Sequence, residues 1–214
     1  MPLLFKKVSN VRQWQYVDAL IPHLATTLEM PWESMSLDVA NREVAPSIAE
    51  INTIHESLLV RRCGLSAVEQ IKSIAALTRP ATFQDLCQVQ QAVLGIDNVA
   101  FRATNAFTPC RHERYAYFAG LPELFARKVA ADLADSCPAI IKAARVYLDI
   151  IFVHPFPDGN ARAAILWLSY FCYRARLPLP DYRRLFAFPF VSGSRRCYSA
   201  FVEFIVEEIE KHGR

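Results

Sequence analysis

Nine consecutive residues, His154-Pro155-Phe156-Pro157-Asp158-Gly159-Asn160-Ala161-Arg162, bring a base, an acid and a cation together between two long apolar segments. His154 has an unperturbed pKa near neutrality and so can take up a proton at physiological pH. Asp158 offers a hard oxygen ligand suited to Mg²⁺, and Arg162 a planar cation that matches phosphate oxygens. Gly159 and Asn160 accept backbone conformations that other residues resist. The apolar-periodic run from Ala161 predicts a helix, whose unpaired N–H groups and positive dipole end open just after them. A loop of this kind suits an anion, with His154 beside it as the base. A His-Pro pair alone ordinarily marks a helix stop. A stop needs neither an acid, nor a Gly-Asn pair, nor an arginine one turn into the next helix, so the longer string points to chemistry.

Two helices must hold this loop. Pro138 begins the first, which runs to Val153; Ile140, Ile141, Ala144, Val146, Leu148, Ile150, Ile151 and Phe152 leave only Lys142, Arg145 and Asp149 as charges. A helix apolar on nearly every side is a buried one. Its partner is the run from Ala163 to Arg174, far too short to span a bilayer. Packing of the two fixes the loop between them, with Phe156 as its anchor in the core.

Elsewhere the spacing predicts mostly short helices. Trp14, Val17, Leu20, Ile21, Leu24 and Leu28 predict an amphipathic helix over 11–29, ended by Pro31. A second starts near Pro46 and Ser47 and turns Ile48, Ile51, Ile54, Leu58 and Leu59 inward. Gly64 ends it, and Ser66 with Glu69 reads as a capping box for a third that reaches about Leu77. Thr82 caps a fourth that Gly95 ends. Phe101–Thr104 and Tyr115–Phe118 are short, aromatic and poor in helix signal, so they predict a β-hairpin. Pro122 opens a helix to Ala134, Leu179-Pro180-Asp181 a short one to Phe186. Ser192 or Ser194 caps the last, with Tyr198, Phe201, Phe204, Ile205 and Ile209 inward.

The 214 residues suffice for one domain with a sizeable core, at 53% hydrophobic residues. A net charge of +3 spread along the chain does not call for nucleic acid. Cys63, Cys87, Cys110, Cys137, Cys172 and Cys197 show no metal-ligand spacing and no disulfide framework, the pattern of thiols in a reducing compartment. With no secretory signal visible in residues 1–8 and no membrane span, a cytoplasmic protein is expected, or one delivered into a host cell by a specialised secretion system.

The nine residues resemble the signature of the Fic family, HPFxxGNGRxxR. His154, Pro155, Phe156, Gly159, Asn160 and Arg162 match it, and Asp158 stands where the family usually keeps an acid. Ala161 replaces the second glycine, and Ile165 replaces the second arginine. The resemblance implies a mostly α fold, a Fic-like helical bundle with a small β-hairpin flap. It implies a single Fic-like domain over 1–214, in which 1–62 is an N-terminal helical part and 80–210 the Fic core. The implied activity is protein adenylylation, the transfer of AMP from ATP to a Ser, Thr or Tyr hydroxyl of a protein substrate. In it His154 is the base, Asp158 the Mg²⁺ ligand, and Gly159, Asn160, Ala161 and Arg162 the nucleotide cradle.

The flap, opened by Arg102, would hold the target by strand addition at Thr104, Tyr115 and Tyr117. Ser47-Ile48-Ala49-Glu50-Ile51-Asn52 resembles a weakened form of the family's inhibitory motif. Glu50 is the matching acid, and with Ile165 in place of its usual partner, weak or absent autoinhibition is expected. Two alternatives stay open: Fic-type transfer of UMP, a phosphoryl group or phosphocholine, and an inactive Fic fold serving as a binding module. A second copy or an inhibitory protein completes the expected partners, without nucleic acid or membrane.

Overall fold

The two apolar segments flanking the nine-residue loop are helices, and they form the most extensive pairing in the molecule. The computed structural model describes residues 17–32, 35, 48–108 and 113–211, with the side chains of 17 and 48–52 excepted. In chain order come β1 (Val17–Asp18), α1 (Leu20–Glu29), α2 (Ile48–Cys63), α3 (Leu65–Ala75) and α4 (Phe83–Leu94). A hairpin of β2 (Ala106–Phe107) and β3 (Glu113–Tyr115) follows, then α5 (Leu121–Ala134), α6 (Ala139–Val153) and α7 (Asn160–Arg174). α8 (Tyr182–Ala187) and α9 (Arg195–Lys211) close the described chain.

The fold is mostly α, as the periodicity predicts, and α6 and α7 are its axis. Ile140, Ile141, Val146, Leu148, Ile150 and Phe152 on α6 are buried, and Ile165, Leu166, Trp167 and Leu168 on α7 are wholly so. Each large apolar side chain buried in this way contributes about 1.5–3 kcal/mol. α3 and α4 cover α7, while α5, α1 and α9 cover α6. Helix ends follow local chemistry. Thr82 and Asp85 form a reciprocal capping box on α4, and Gly95 ends that helix in the left-handed region at φ 66°. Asp181 caps α8, and the Ser194 hydroxyl accepts from the Cys197 N–H at the start of α9.

Five expectations need correction. Residues 11–16 lie outside the described residues, but Val17 and Asp18 are a strand rather than helix. β1 pairs in parallel with β3, and an Arg114–Asp18 ion pair at 2.7 Å fastens the register. Tertiary pairing here overrides helical periodicity. On α1 itself Ile21 and Leu28 are exposed at 64% and 85%, whereas His23 and Thr27 are buried, because that face meets a polar cluster in the core. On α2, Ile54 is exposed and His55 buried, its Nδ1 donating to the Leu179 carbonyl. No capping box forms at Ser66: Gly64 turns the chain at φ 92°, and α3 begins directly at Leu65. The hairpin strands lie inward of the predicted ones, at 106–107 and 113–115, and β1 makes the sheet three-stranded, in the order β1-β3-β2.

The polar cluster joins α1, α5, α6 and α9. His23 Nε2 meets Asp149 Oδ1 at 2.7 Å, and His23 Nδ1 meets the Tyr198 hydroxyl at 2.8 Å. Lys128 bridges Asp149 at 2.8 Å and Asp132 at 3.1 Å. Arg145 pairs with Asp132 and, at 2.7 Å, with Asp135. Burial alone would lift the Asp149 carboxyl, but Lys128 and His23 outweigh it and hold it below the carboxylate range. The cost falls on Asp132, which burial and the Asp149 charge raise.

Candidate functional site

His154 ends α6 in the left-handed region, at φ 54° and ψ 58°. Pro155 forbids another helical turn, and a positive φ is uncommon away from glycine, so the packed surroundings must hold it there. The ring Nδ1 lies 2.9 Å from the Ile151 carbonyl. A carbonyl only accepts, so Nδ1 carries the proton and Nε2 keeps its lone pair. Burial, with help from the Arg102 charge, lowers the pKa of this imidazole; the Ile151 hydrogen bond and Asp158 oppose it only in part. His154 is thus held neutral, oriented and basic at Nε2.

Two residues of the hairpin region fix that pose. The ring of Tyr115, itself buried, stacks on the imidazole with centroids 3.9 Å apart. Arg102 is buried at 4% exposure, and its guanidinium donates to the carbonyls of Val153 at 2.9 Å, His154 at 2.6 Å, Ala116 at 2.7 Å and Thr104. A cation at a helix C-terminus meets the negative dipole end and the orphan carbonyls together. Burial nevertheless pushes the Arg102 pKa down to about 10. Arg102 therefore pins the end of α6 to the hairpin.

The loop is clipped shut from inside. Phe156 is wholly buried. Asn160 accepts from the Phe156 N–H at 2.9 Å and donates to its carbonyl at 2.8 Å, so both polar atoms of its side chain are engaged by the loop. Gly159 sits at φ 75°, where a Cβ would lie 2.5 Å from Gln90 Nε2. Only glycine fits. Gln90, from α4, is wholly buried and donates to the Asp158 carbonyl at 2.7 Å. The N–H groups of Asn160, Ala161 and Arg162 form the first turn of α7, which has no side-chain cap. Three donors and a dipole end face outward there.

Those donors open on a groove of about 930 Å³ between the loop and residues 102–108, lined also by Arg62 and Arg162. Arg162 donates to the Val93 carbonyl at 3.2 Å and lies 3.4 Å from Asp158 Oδ2. The Asp158 side chain is 80% exposed, and its Oδ1 accepts from Gly159 N–H at 2.6 Å. Among the described residues no group of three or more His, Cys, Asp or Glu is placed to hold a metal ion. One accessible carboxylate beside an anion cradle fits Mg²⁺, which takes few protein ligands and completes its shell with phosphate and water.

The Fic/DOC family model matches residues 47–172. The chain belongs to the Fic/DOC family. Its fold is similar to that of a Fic domain containing signaling protein from Bacteroides thetaiotaomicron VPI-5482, at 17% identity and TM-score 0.52 over 74% of this chain and 70% of that one. It is equally similar to Fic-1 (residues 134–508) from C. elegans, at 17% identity and TM-score 0.52 over 93% of this chain and 67% of that one. Comparison with curated proteins found no match.

In this Fic site the structure brings His154, Asp158, Gly159, Asn160, Ala161, Arg162 and Thr104 to one groove. Tyr115 lies against His154, and Tyr117 lies by Arg102, whose guanidinium carbon is 6.0 Å from its ring centre. Glu50 has its backbone in the first turn of α2, and its side chain lies outside the described residues. Arg62, which lines the groove, is twelve residues further along, ~18 Å of helix. Ile165 is wholly buried, on the inward face of α7. Arg62, in the groove wall, and Gln90, buried behind the loop, are residues that sequence reasoning missed. Neither sits in a motif, so only the packing of α4 and α2 against the loop reveals them.

Proposed function

We propose that this chain is a protein adenylyltransferase, moving AMP from ATP to a hydroxyl side chain of another protein. The observation that carries the reading is the free Nε2 of His154 opening on the same groove as the uncapped first turn of α7. His154 Nε2 takes the hydroxyl proton as the target oxygen bonds to the α-phosphorus and the bond to the pyrophosphate oxygen breaks; the pyrophosphate leaves with the electron pair. The N–H groups of Asn160, Ala161 and Arg162 hold the oxygens on which charge develops, and Arg162 grips a distal phosphate. Asp158 would hold Mg²⁺, which supplies charge neutralisation on the phosphates. Stacking on Tyr115 and the brace of Arg102 keep the base aimed during the transfer.

A second reading keeps the site and changes the transferred group. Burial of Ile165 leaves α7 with one phosphate-facing arginine, so a donor can lie with a different phosphorus over the α7 N-terminus and phosphoryl transfer results. Incubation with target lysate and ATP labelled at the α- or the γ-phosphate separates the two. Label retained on protein from the α position supports adenylylation, and label only from the γ position supports phosphorylation. Label from neither, with UTP and CDP-choline also silent, leaves a binding module.

A further inference from the structure

The groove receives a second arginine from an unexpected element. Ile165 stands where the family signature has its second cation, and its side chain is wholly buried. Arg62, in the last turn of α2, lines the groove with Arg162 and the Asp158–Ala161 stretch. The end of α2 stands near Arg162, whose charge acts on the thiol of Cys63, the residue after Arg62. Arg62 is exposed, and its guanidinium carbon lies 5.1 Å from the Phe186 ring centre. Such stacking restrains the cation while leaving its N–H edge open to a ligand.

The other two arginines of the groove are engaged. Arg102 directs its guanidinium to four backbone carbonyls, and Arg162 is shared between the Val93 carbonyl and Asp158. Arg62 has no carboxylate and no carbonyl partner among the described residues. We propose that Arg62 binds the terminal phosphates of a nucleoside di- or triphosphate seated in the groove, so that α2 supplies the cation α7 lacks. The proposal rests on the nucleotide-transfer reading and adds to it a preference for donors with at least two phosphates. α2 then becomes part of the donor site.

Calorimetric titration of ATP, ADP and AMP into wild type, Arg62→Ala and Arg61→Ala tests this. Arg61 is the fitting control, since it removes the same charge from the neighbouring exposed position without lining the groove. Arg62→Ala is expected to weaken ATP and ADP by roughly tenfold or more and AMP by less than about twofold, the loss of one charge-assisted phosphate contact. Arg61→Ala is expected to change ATP affinity by less than about threefold, as a screened surface charge does. Wild-type ATP affinity in Arg62→Ala, an equal loss for AMP, or an equal loss in Arg61→Ala would overturn the role of Arg62 and leave the nucleotide reading standing. A wild-type protein that binds none of the three nucleotides would overturn both.

Discussion

The imidazole of His154 lies flat on the ring of Tyr115, with centroids 3.9 Å apart and planes within 15°. Tyr115 belongs to β3, the central strand of the sheet, so the hairpin both lines the groove and covers one face of the base. Removing that cover should rehydrate His154 and move its pKa back toward the ordinary value. Tyr115→Leu is expected to shift the acid limb of the pH–rate profile upward and to lower the rate at pH 6 by up to about fourfold, while Tyr115→Phe retains the wild-type profile. An unmoved acid limb in Tyr115→Leu would remove the stack from the account of the base.

The lowered pKa of His154 also has a sign in stability. The unfolded chain takes up the proton near pH 6.5, whereas the folded imidazole resists it, so the unfolded state binds more protons below that value. The contribution is therefore fully present above pH 6.5 and is lost as the pH falls through the folded pKa. His154→Asn suits the left-handed backbone and can still donate to Ile151, but it does not titrate. Between pH 7 and pH 5 the melting temperature of His154→Asn should fall less than that of wild type; parallel falls would count against the assignment.

Arg102 is expected to matter for folding as much as for catalysis. Arg102→Met leaves the Val153, His154, Thr104 and Ala116 carbonyls without their donor in a sheltered site, at a cost of at least ~3 kcal/mol. For a chain of this size that corresponds to roughly 6–12 °C in melting temperature. A loss below about 2 °C in a thermal melt would show that water replaces the guanidinium without penalty.

Gly159 and Gln90 should behave as one unit. Gly159→Ala meets Gln90 Nε2 at 2.5 Å and places a Cβ at φ 75°, so it should reduce ATP affinity by more than about tenfold. Gln90→Ala removes the clash but also the bond to the Asp158 carbonyl. The double variant is expected to be no worse than Gly159→Ala alone, because contacting residues do not add. Strict additivity of the two losses in a binding titration would refute the coupling.

What could be read from the chain depended on how local the signal was. The helices 83–94, 121–134 and 139–153 are marked by Thr82, Gly95, Pro122 and Pro138, whose effects need only their neighbours, and they stand where predicted. The loop is equally local, since His154, Asp158, Gly159 and Arg162 lie within nine consecutive residues. Val17 became a strand because Glu113 and Arg114, far away in sequence, offered a partner. Ile21, Ile54 and His23 contradict amphipathic reasoning for a similar cause. A polar core cluster and a histidine bonded to the α8 side decide which faces turn inward, and neither shows in periodicity.

The charged core has a practical meaning for anyone who redesigns this scaffold. His23, Lys128, Asp132, Arg145 and Asp149 compensate one another across three helices, and Asp149 is five residues before His154 on the same helix. Deleting a single member strands an opposite charge away from water, whereas replacing the whole set by well-packed apolar residues can be neutral or stabilising. A stabilisation campaign that scans one position at a time would therefore score each of these residues as untouchable, and would miss the simultaneous replacement that preserves the mounting of His154.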